Sequence, residues 1–377
     1  MNSVLDIEYG LVLTGWVVAL LLGLTLLVIN APKTPHQAYY AKGKNTCAIS
    51  FLIFGTEMFF QWLIRFYLDI SDPVLSVSVY LFAFVAATLL LATGFCEMMA
   101  PRMMDRRQRL WAVSVLIAYL ALLIVNFLFV KGRAQIYGAL LCSVLLFLLT
   151  CLSIYKCIRI YRIAINNLRT YYSDFVEDLM CWMPGVGVGI MLFLISAPIT
   201  SFCPRIVGIY QLALGIIMFI YTFVSILNFS FRYSAMAPAL HESDAAGHEY
   251  GEGVDESGNQ PTSLSASLQE IMQDKEQRWR EQGGYRTPGL TIEQAARDMG
   301  TNRNYLSRYL NQVKQMTFYE WVAQMRIEEA QTLMAGNDGS MTMEQIAAQV
   351  GFSSYPTFSS TFKKMVGITP NRWRSSQ

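Results

Sequence analysis

The sequence predicts an all-α chain in two parts: a polytopic bundle of seven transmembrane helices and, beyond a polar linker, a small domain carrying a double helix-turn-helix. Three observations lead there. Hydrophobic residues make up 54% of the 377 positions and mean hydropathy is +0.34, above the ordinary soluble range. Apolar runs near the roughly 20 residues that a bilayer demands follow one another from Gly10 to Phe229. Composition then turns to Gly, Ser and acids, and two stretches with the same helix, turn, helix spacing follow.

The seven runs fall at Gly10–Asn30, Ala48–Leu68, Val74–Phe95, Trp111–Val130, Gln135–Tyr155, Cys181–Phe202 and Ile206–Phe229. Asp6 and Glu8 precede the first run in place of a basic region, and no small-residue cleavage pattern follows. It is therefore expected to anchor the chain with its N-terminus outside. Loop charge fixes the orientation. One side holds twelve basic residues (Lys33, Lys42, Lys44, Arg102, Arg106, Arg107, Arg109, Lys156, Arg159, Arg162, Arg169, Arg232), the other only Lys131, Arg133 and Arg205. The C-terminal domain is thus expected in the cytoplasm, beneath a bacterial inner membrane. The outer loops are too short to fold as a sensor domain, so any signal would be read within the bilayer.

In the second run Glu57, Gln61, Arg65 and Asp69 recur every four residues along one helical face. Ionisable groups at membrane depth face a cavity, a partner or a proton path. Glu57, Gln61 and Arg65 are therefore candidate sensor residues, or equally a structural network that clamps neighbouring helices, since both arrangements satisfy the same desolvation rule. Gly185 and Gly189 in GVGVG lack the Lys and Ser/Thr of a phosphate loop and read as a close-packing face. Lys156 to Tyr172, basic and apolar in alternation, reads as an interfacial helix on anionic headgroups.

Seven cysteines, all between Cys47 and Cys203, form neither a disulfide framework nor a metal-ligand spacing, and no nucleophile–base pair suggests an enzyme. No catalytic residue, metal or cofactor is expected.

Residues 1–234 are thus assigned to the membrane bundle and 235–262 to a flexible linker with six acids (Glu242, Asp244, Glu249, Glu252, Asp255, Glu256). A connecting helix is expected over 263–285, with a seam of Leu264, Leu268, Ile271, Lys275 and Trp279 that either pairs two copies or packs on the domain after it. Gly283, Gly284 and Pro288 then punctuate the start of the last domain, 286–377. That domain is mildly basic, with ten Lys and Arg against seven acids.

Within it, Ala296, Gly300 and Leu306 mark a first helix-turn-helix, with Asn302 able to cap a helix that carries Arg303, Asn304, Ser307 and Arg308 outward. Ala347, Gly351, Phe358 and Phe362 mark a second. Ser354 can cap its second helix and Pro356 falls in the first turn, where a missing N–H costs nothing, leaving Tyr355 and Thr357 at an exposed tip. Between the units, Phe318 to Met334 is periodic through Phe318, Trp321, Val322, Met325, Ile327 and Ala330, as a rigid connecting helix should be.

Leu290 to Arg374, with the GF at Gly351, the FKK at Phe362 to Lys364 and the ending Gly367, Thr369, Pro370, Arg374, resembles the DNA-binding domain of the AraC/XylS family of transcription regulators. The resemblance covers under a quarter of the chain. It implies two reading helices entering successive major grooves on one face of double-stranded DNA, about 34 Å apart. It also implies base-edge contacts from Asn304, Ser307, Arg308, Tyr355 and Thr357, and phosphate contacts from Arg303, Lys363 and Lys364.

Two departures remove positive charge: Ser360 stands where the family usually has arginine, and Asn311 and Gln312 where it has a basic pair. Each lost phosphate contact flattens the salt dependence by about 0.9, so weak monomer binding rescued by dimerisation or adjacent sites is expected. The resulting expectation is a one-component transcription regulator held in the membrane. The competing one is a transporter or membrane enzyme with an appended regulatory domain.

Overall fold

The computed structural model describes residues 2–31, 37–67, 73–100, 106–174, 184–189, 192, 205–252, 266–336 and 340–376. Every regular element among them is helical. The chain divides into two compact units, Met1–Arg162 with Leu179–Ala237, and Ile163–Asp178 with Pro238–Gln377.

The first unit is built from α1 (Asn2–Val28), α2 (Gln37–Trp62), α3 (Pro73–Met99), α4 (Arg106–Phe129), most of α5 (Arg133–Tyr171) and the start of α6 (Arg205–Glu252). Helix α2 packs against both α1 and α3. Glycine makes the α2–α3 approach possible: a Cβ on Gly43 would stand 2.6 Å from the Gly94 carbonyl oxygen, and one on Gly94 2.7 Å from that of Gly43. The core joins Phe54, Met58, Leu81, Phe84, Tyr119, Leu123, Cys142 and Leu146. Polar groups inside it bond across helices, Ser50 Oγ donating to Ala87 O at 2.7 Å and Tyr119 OH to Cys142 O at 3.0 Å. Asn126 bonds as an inter-helix polar residue should, donating to Gln135 O at 3.3 Å. The buried Lys44 ammonium bonds the carbonyls of Leu26 and Ile29 and so caps the end of α1.

The outward faces of this unit are as apolar as its core. Leu21, Ile117, Leu141 and Leu152 are all more than half exposed. Among the described residues, five helical stretches are long and apolar enough to cross a membrane: Ile7–Val28, Ser78–Met99, Arg107–Phe129, Arg133–Tyr171 and Leu212–Ser234. The expected count of seven is not reproduced. Glu57 and Gln61 lower the hydropathy of α2, which ends in a π-turn at Leu63–Tyr67. The run at Cys181–Phe202 lies outside the described residues except for 184–189, which are helical, and 192.

Two further expectations are corrected. Lys156–Tyr172 is not a separate interfacial helix: α5 runs unbroken for 39 residues, about 58 Å at 1.5 Å per residue, because no Gly or Pro interrupts it after Gly138. The segment expected to be flexible from Ala235 is helical as far as Glu252, inside α6. Its alanines and glutamates are good helix formers, and Pro238 is accommodated within the helix. The rest of the expected linker, 253–262, lies outside the described residues.

The second unit carries α7 (Ala266–Glu281), α8 (Ile292–Asp298), α9 (Arg303–Tyr309), α10 (Phe318–Gly336), α11 (Met343–Gln349), α12 (Tyr355–Val366) and α13 (Pro370–Arg374). The seam of α7 splits. Met272 and Trp279 are buried and Trp279 stacks on Trp321 with ring centroids 5.1 Å apart, whereas Leu268 and Ile271 remain exposed. Glu276 explains why α7 holds to the domain, accepting from Trp321 Nε1 at 2.9 Å, from the Tyr309 hydroxyl and from Lys314 at 2.9 Å.

Candidate nucleic-acid interface

The same local chemistry builds both helix-turn-helix units. Helices α8 and α11 each begin with a capping box, Thr291 with Gln294 and Thr342 with Gln345, in which the threonine oxygen accepts the third N–H and the glutamine reaches back. Each is followed by a left-handed glycine, Gly300 at φ 62° and Gly351 at φ 95°. The second turn tolerates nothing larger, since a Cβ on Gly351 would stand 2.4 Å from the Arg286 carbonyl oxygen. The reading helices then start at the expected caps: Asn302 Oδ1 accepts from Tyr305 N at 2.9 Å, and Ser354 Oγ from Thr357 N at 3.4 Å.

Helix α10 is the rigid bar between them. All six residues of its predicted stripe are buried. Around it, Ile327, Ala330 and Met334 join Ile346, Ala347, Val350, Phe352, Phe358 and Phe362 in the core of the second helix-turn-helix. Trp321 and Val322 are buried together with Leu306, Tyr309 and Leu310 of the first.

On α9, Asn304 is exposed and Arg303, Ser307 and Arg308 are half-buried. Ser307 Oγ accepts from Asn311 at 3.4 Å. Arg303 lies in its first turn, 3.9 Å from Glu293 and with its guanidinium carbon 5.2 Å from the centroid of the Tyr171 ring. On α12, Tyr355 and Thr357 sit at the tip but are partly engaged. The Tyr355 ring leans on Phe358 and its hydroxyl accepts from Asn371 at 3.4 Å, while the Thr357 hydroxyl is 2.9 Å from Ser354 Oγ. Lys363 and Lys364 are exposed in the last turn of α12, away from the tip, where cations also suit the helix dipole.

Two residues escaped the sequence reading. Tyr305, 41% exposed on α9 beside Asn304, presents an aromatic ring at the first tip, although an aromatic at that spacing resembles a core residue in sequence. Arg326 is fully buried within α10 and organises the whole unit. Its Nε donates to Tyr285 O at 2.8 Å, one terminal nitrogen to Thr287 O at 2.8 Å and Ser173 Oγ at 3.3 Å, and the other to Asp174 Oδ1 at 2.8 Å. Burial pulls the pKa of this guanidinium down, and the Asp174 carboxylate pushes it back. The only sequence signal was a lone arginine inside an apolar stripe.

The candidate sensor residues lie in the other unit. Glu57 is buried with Gln61 as its hydrogen-bonding neighbour, and its Oε1 has no partner among the described residues. The Arg65 side chain and Asp69 fall outside the described residues.

Residues 295–376 match a family model described as a helix-turn-helix domain. The melibiose operon regulatory protein of Escherichia coli K12 is 35% identical over 85 residues, 22% of this chain and 28% of that protein. The probable transcription factor PqrA of Proteus vulgaris is 32% identical over 99 residues, 26% of this chain and 80% of that protein. A solved structure, the C-terminal domain of the response regulator AraT from Geobacillus stearothermophilus, shares 26% identity and covers 31% of this chain and 89% of its own, with a TM-score of 0.25. The chain thus spans little more than a quarter of the melibiose regulator. Through its C-terminal helix-turn-helix pair, the chain belongs to the AraC-type family of helix-turn-helix proteins.

Proposed function

We propose that the chain is a membrane-tethered, one-component transcription regulator. Its two reading helices, α9 and α12, contact promoter DNA on the cytoplasmic face of the membrane, and the apolar unit anchors them and senses a ligand or membrane state. The observation that carries this reading is the presence, in one chain, of a paired helix-turn-helix and five membrane-length helices whose outward faces are apolar. In water such faces would aggregate; against lipid they need no cover. The excess of Lys and Arg on one side of the apolar runs supports a cytoplasmic domain. The relatives named as an operon regulatory protein and a transcription factor support promoter DNA as the target.

Base-edge contact is assigned to Asn304, Ser307, Arg308, Tyr355 and Thr357, and phosphate contact to Arg303, Lys363 and Lys364. Homodimers form through the exposed Leu268 and Ile271 of α7, which compensates for the missing cations at Ser360, Asn311 and Gln312. Glu57 with Gln61 is the site where the membrane signal acts, supported by a buried carboxyl group with one oxygen left without a partner among the described residues.

The test is fractionation of cells carrying a tagged chain, followed by genome-wide mapping of the DNA bound to it. Recovery in the inner membrane together with discrete bound promoters is expected. A soluble protein, or a membrane protein with no enriched DNA, overturns the reading.

A further inference from the structure

The residues immediately after α5 belong to the same compact unit as the helix-turn-helix pair, although more than a hundred positions separate them in sequence. They are bound to it at four points. Tyr172 forms an antiparallel bridge with Thr291, and Ser173 N donates to Leu290 O at 2.9 Å across it. Ser173 is fully buried. Asp174 takes Arg326 on one oxygen at 2.8 Å and Gly289 N on the other at 2.9 Å. Tyr171 covers the guanidinium of Arg303.

A partly buried, charge-paired and hydrogen-bonded segment is a specific docking contact, and its position decides what it does. Arg303 is the first residue of the reading helix α9, the end that must enter a groove. The docked Tyr171 ring lies against that cation. We propose that the segment Tyr171–Asp174 is an autoinhibitory arm: the last residue of α5 and the three that follow it, with one carboxylate, seat on the Gly289–Thr291 edge of the DNA-binding domain and compete with duplex DNA for Arg303. Because the arm continues α5 (Arg133–Tyr171) covalently, a change in that helix would release or tighten it. Linkage makes the effect reciprocal, so DNA displaces the arm by the same factor by which the arm weakens DNA. This inference rests on the proposed DNA-binding function and on Arg303 contacting DNA.

The bridge supplies the test. In a non-hydrogen-bonded antiparallel pair, the pattern given by Ser173 N to Leu290 O, the Cα atoms lie about 4.5 Å apart, within the range that a disulfide spans. The full chain in lipid nanodiscs carrying Tyr172→Cys with Thr291→Cys is assayed for binding to a fluorescent duplex, one selected by the reduced protein from a random pool. Each single-cysteine variant serves as control for the native cysteines. The oxidised double variant is expected to bind about tenfold more weakly than the same protein after reduction, and Tyr171→Ala, which uncovers Arg303 and leaves the Arg326 pair intact, about fivefold more tightly than the parent chain, within the usual range of coupling between sites.

Equal affinity of the oxidised and reduced forms, with the disulfide verified by mass spectrometry, overturns the arm while leaving the regulator reading intact. Failure of the cysteines to join under oxidant also overturns it, because the segment is then not seated. Absence of duplex binding by the parent chain and every variant at low salt overturns the regulator reading, and the arm with it.

Discussion

Replacing Arg326 by methionine is the perturbation that most directly tests how the C-terminal unit is held together. The side chain is fully buried and makes four hydrogen bonds, two of them to the backbone carbonyls of Tyr285 and Thr287 in the loop that leads into α8. Methionine fills much of the same volume, so the cavity contribution is small. What remains is two carbonyls, the Ser173 hydroxyl and a carboxylate without their donor. Each unsatisfied buried acceptor costs about 1–3 kcal/mol, and removing one partner of a buried pair about 3–5 kcal/mol. Asp174 keeps Gly289 N and some access to water, being 18% exposed, which offsets part of this. The net expectation is about 3–4 kcal/mol, equivalent to a fall in Tm of roughly 6–16 °C for a unit of this size. Arg326→Lys keeps the charge but loses the fork, and should fall between the two. The assay is thermal unfolding of the full chain in detergent, followed by tryptophan fluorescence with Trp16, Trp62, Trp111 and Trp182 replaced by phenylalanine, so that the stacked Trp279–Trp321 pair and Trp373 report on this unit. A shift below about 2 °C for Arg326→Met would refute the reasoning, because it would represent at most about 1 kcal/mol.

Gly351→Ala should destabilise the unit by about 2–4 kcal/mol in the same assay, since the left-handed backbone and the contact with the Arg286 carbonyl both oppose a Cβ. Thr342→Ala, which removes one capping box, should cost only about 1 kcal/mol, and a loss above that of Gly351→Ala would contradict the cap assignment. Arg308→Ala should weaken the preferred duplex by about 1–3 kcal/mol and relax one base position, whereas Lys363→Ala should weaken all duplexes alike and reduce the salt slope by about 1. Base-selection profiles of the two variants, measured side by side, check this, and identical profiles would reverse the roles.

The helix-turn-helix pair was legible in the sequence because its signals are local. A cap is one residue and its N–H partner three positions on, so Asn302 and Ser354 could be placed from spacing alone. The stripe of α10 was legible for the same reason. Long-range pairings were not. Nothing in the spacing links Asp174 to Arg326 across 152 positions, nor marks Tyr171 as the neighbour of Arg303. Composition misled at the linker, where acids and glycines suggested coil but alanines carried the helix to Glu252. It also overrated α2, whose Glu57 and Gln61 dilute an otherwise apolar run. The candidate base-contacting residues were half legible. Their position on the helices follows from periodicity, but the engagement of Tyr355 by Asn371 and of Thr357 by Ser354 depends on how the turns close.

Hydroxyl-radical footprinting of the full chain in nanodiscs, on the strongest site recovered by genome-wide mapping, reaches the central claim in one measurement. The account predicts two protected patches on one face of the duplex, separated by about one helical turn of roughly 10 base pairs, and their loss as salt rises. A single patch, two patches on opposite faces, or no protection at low salt would contradict it.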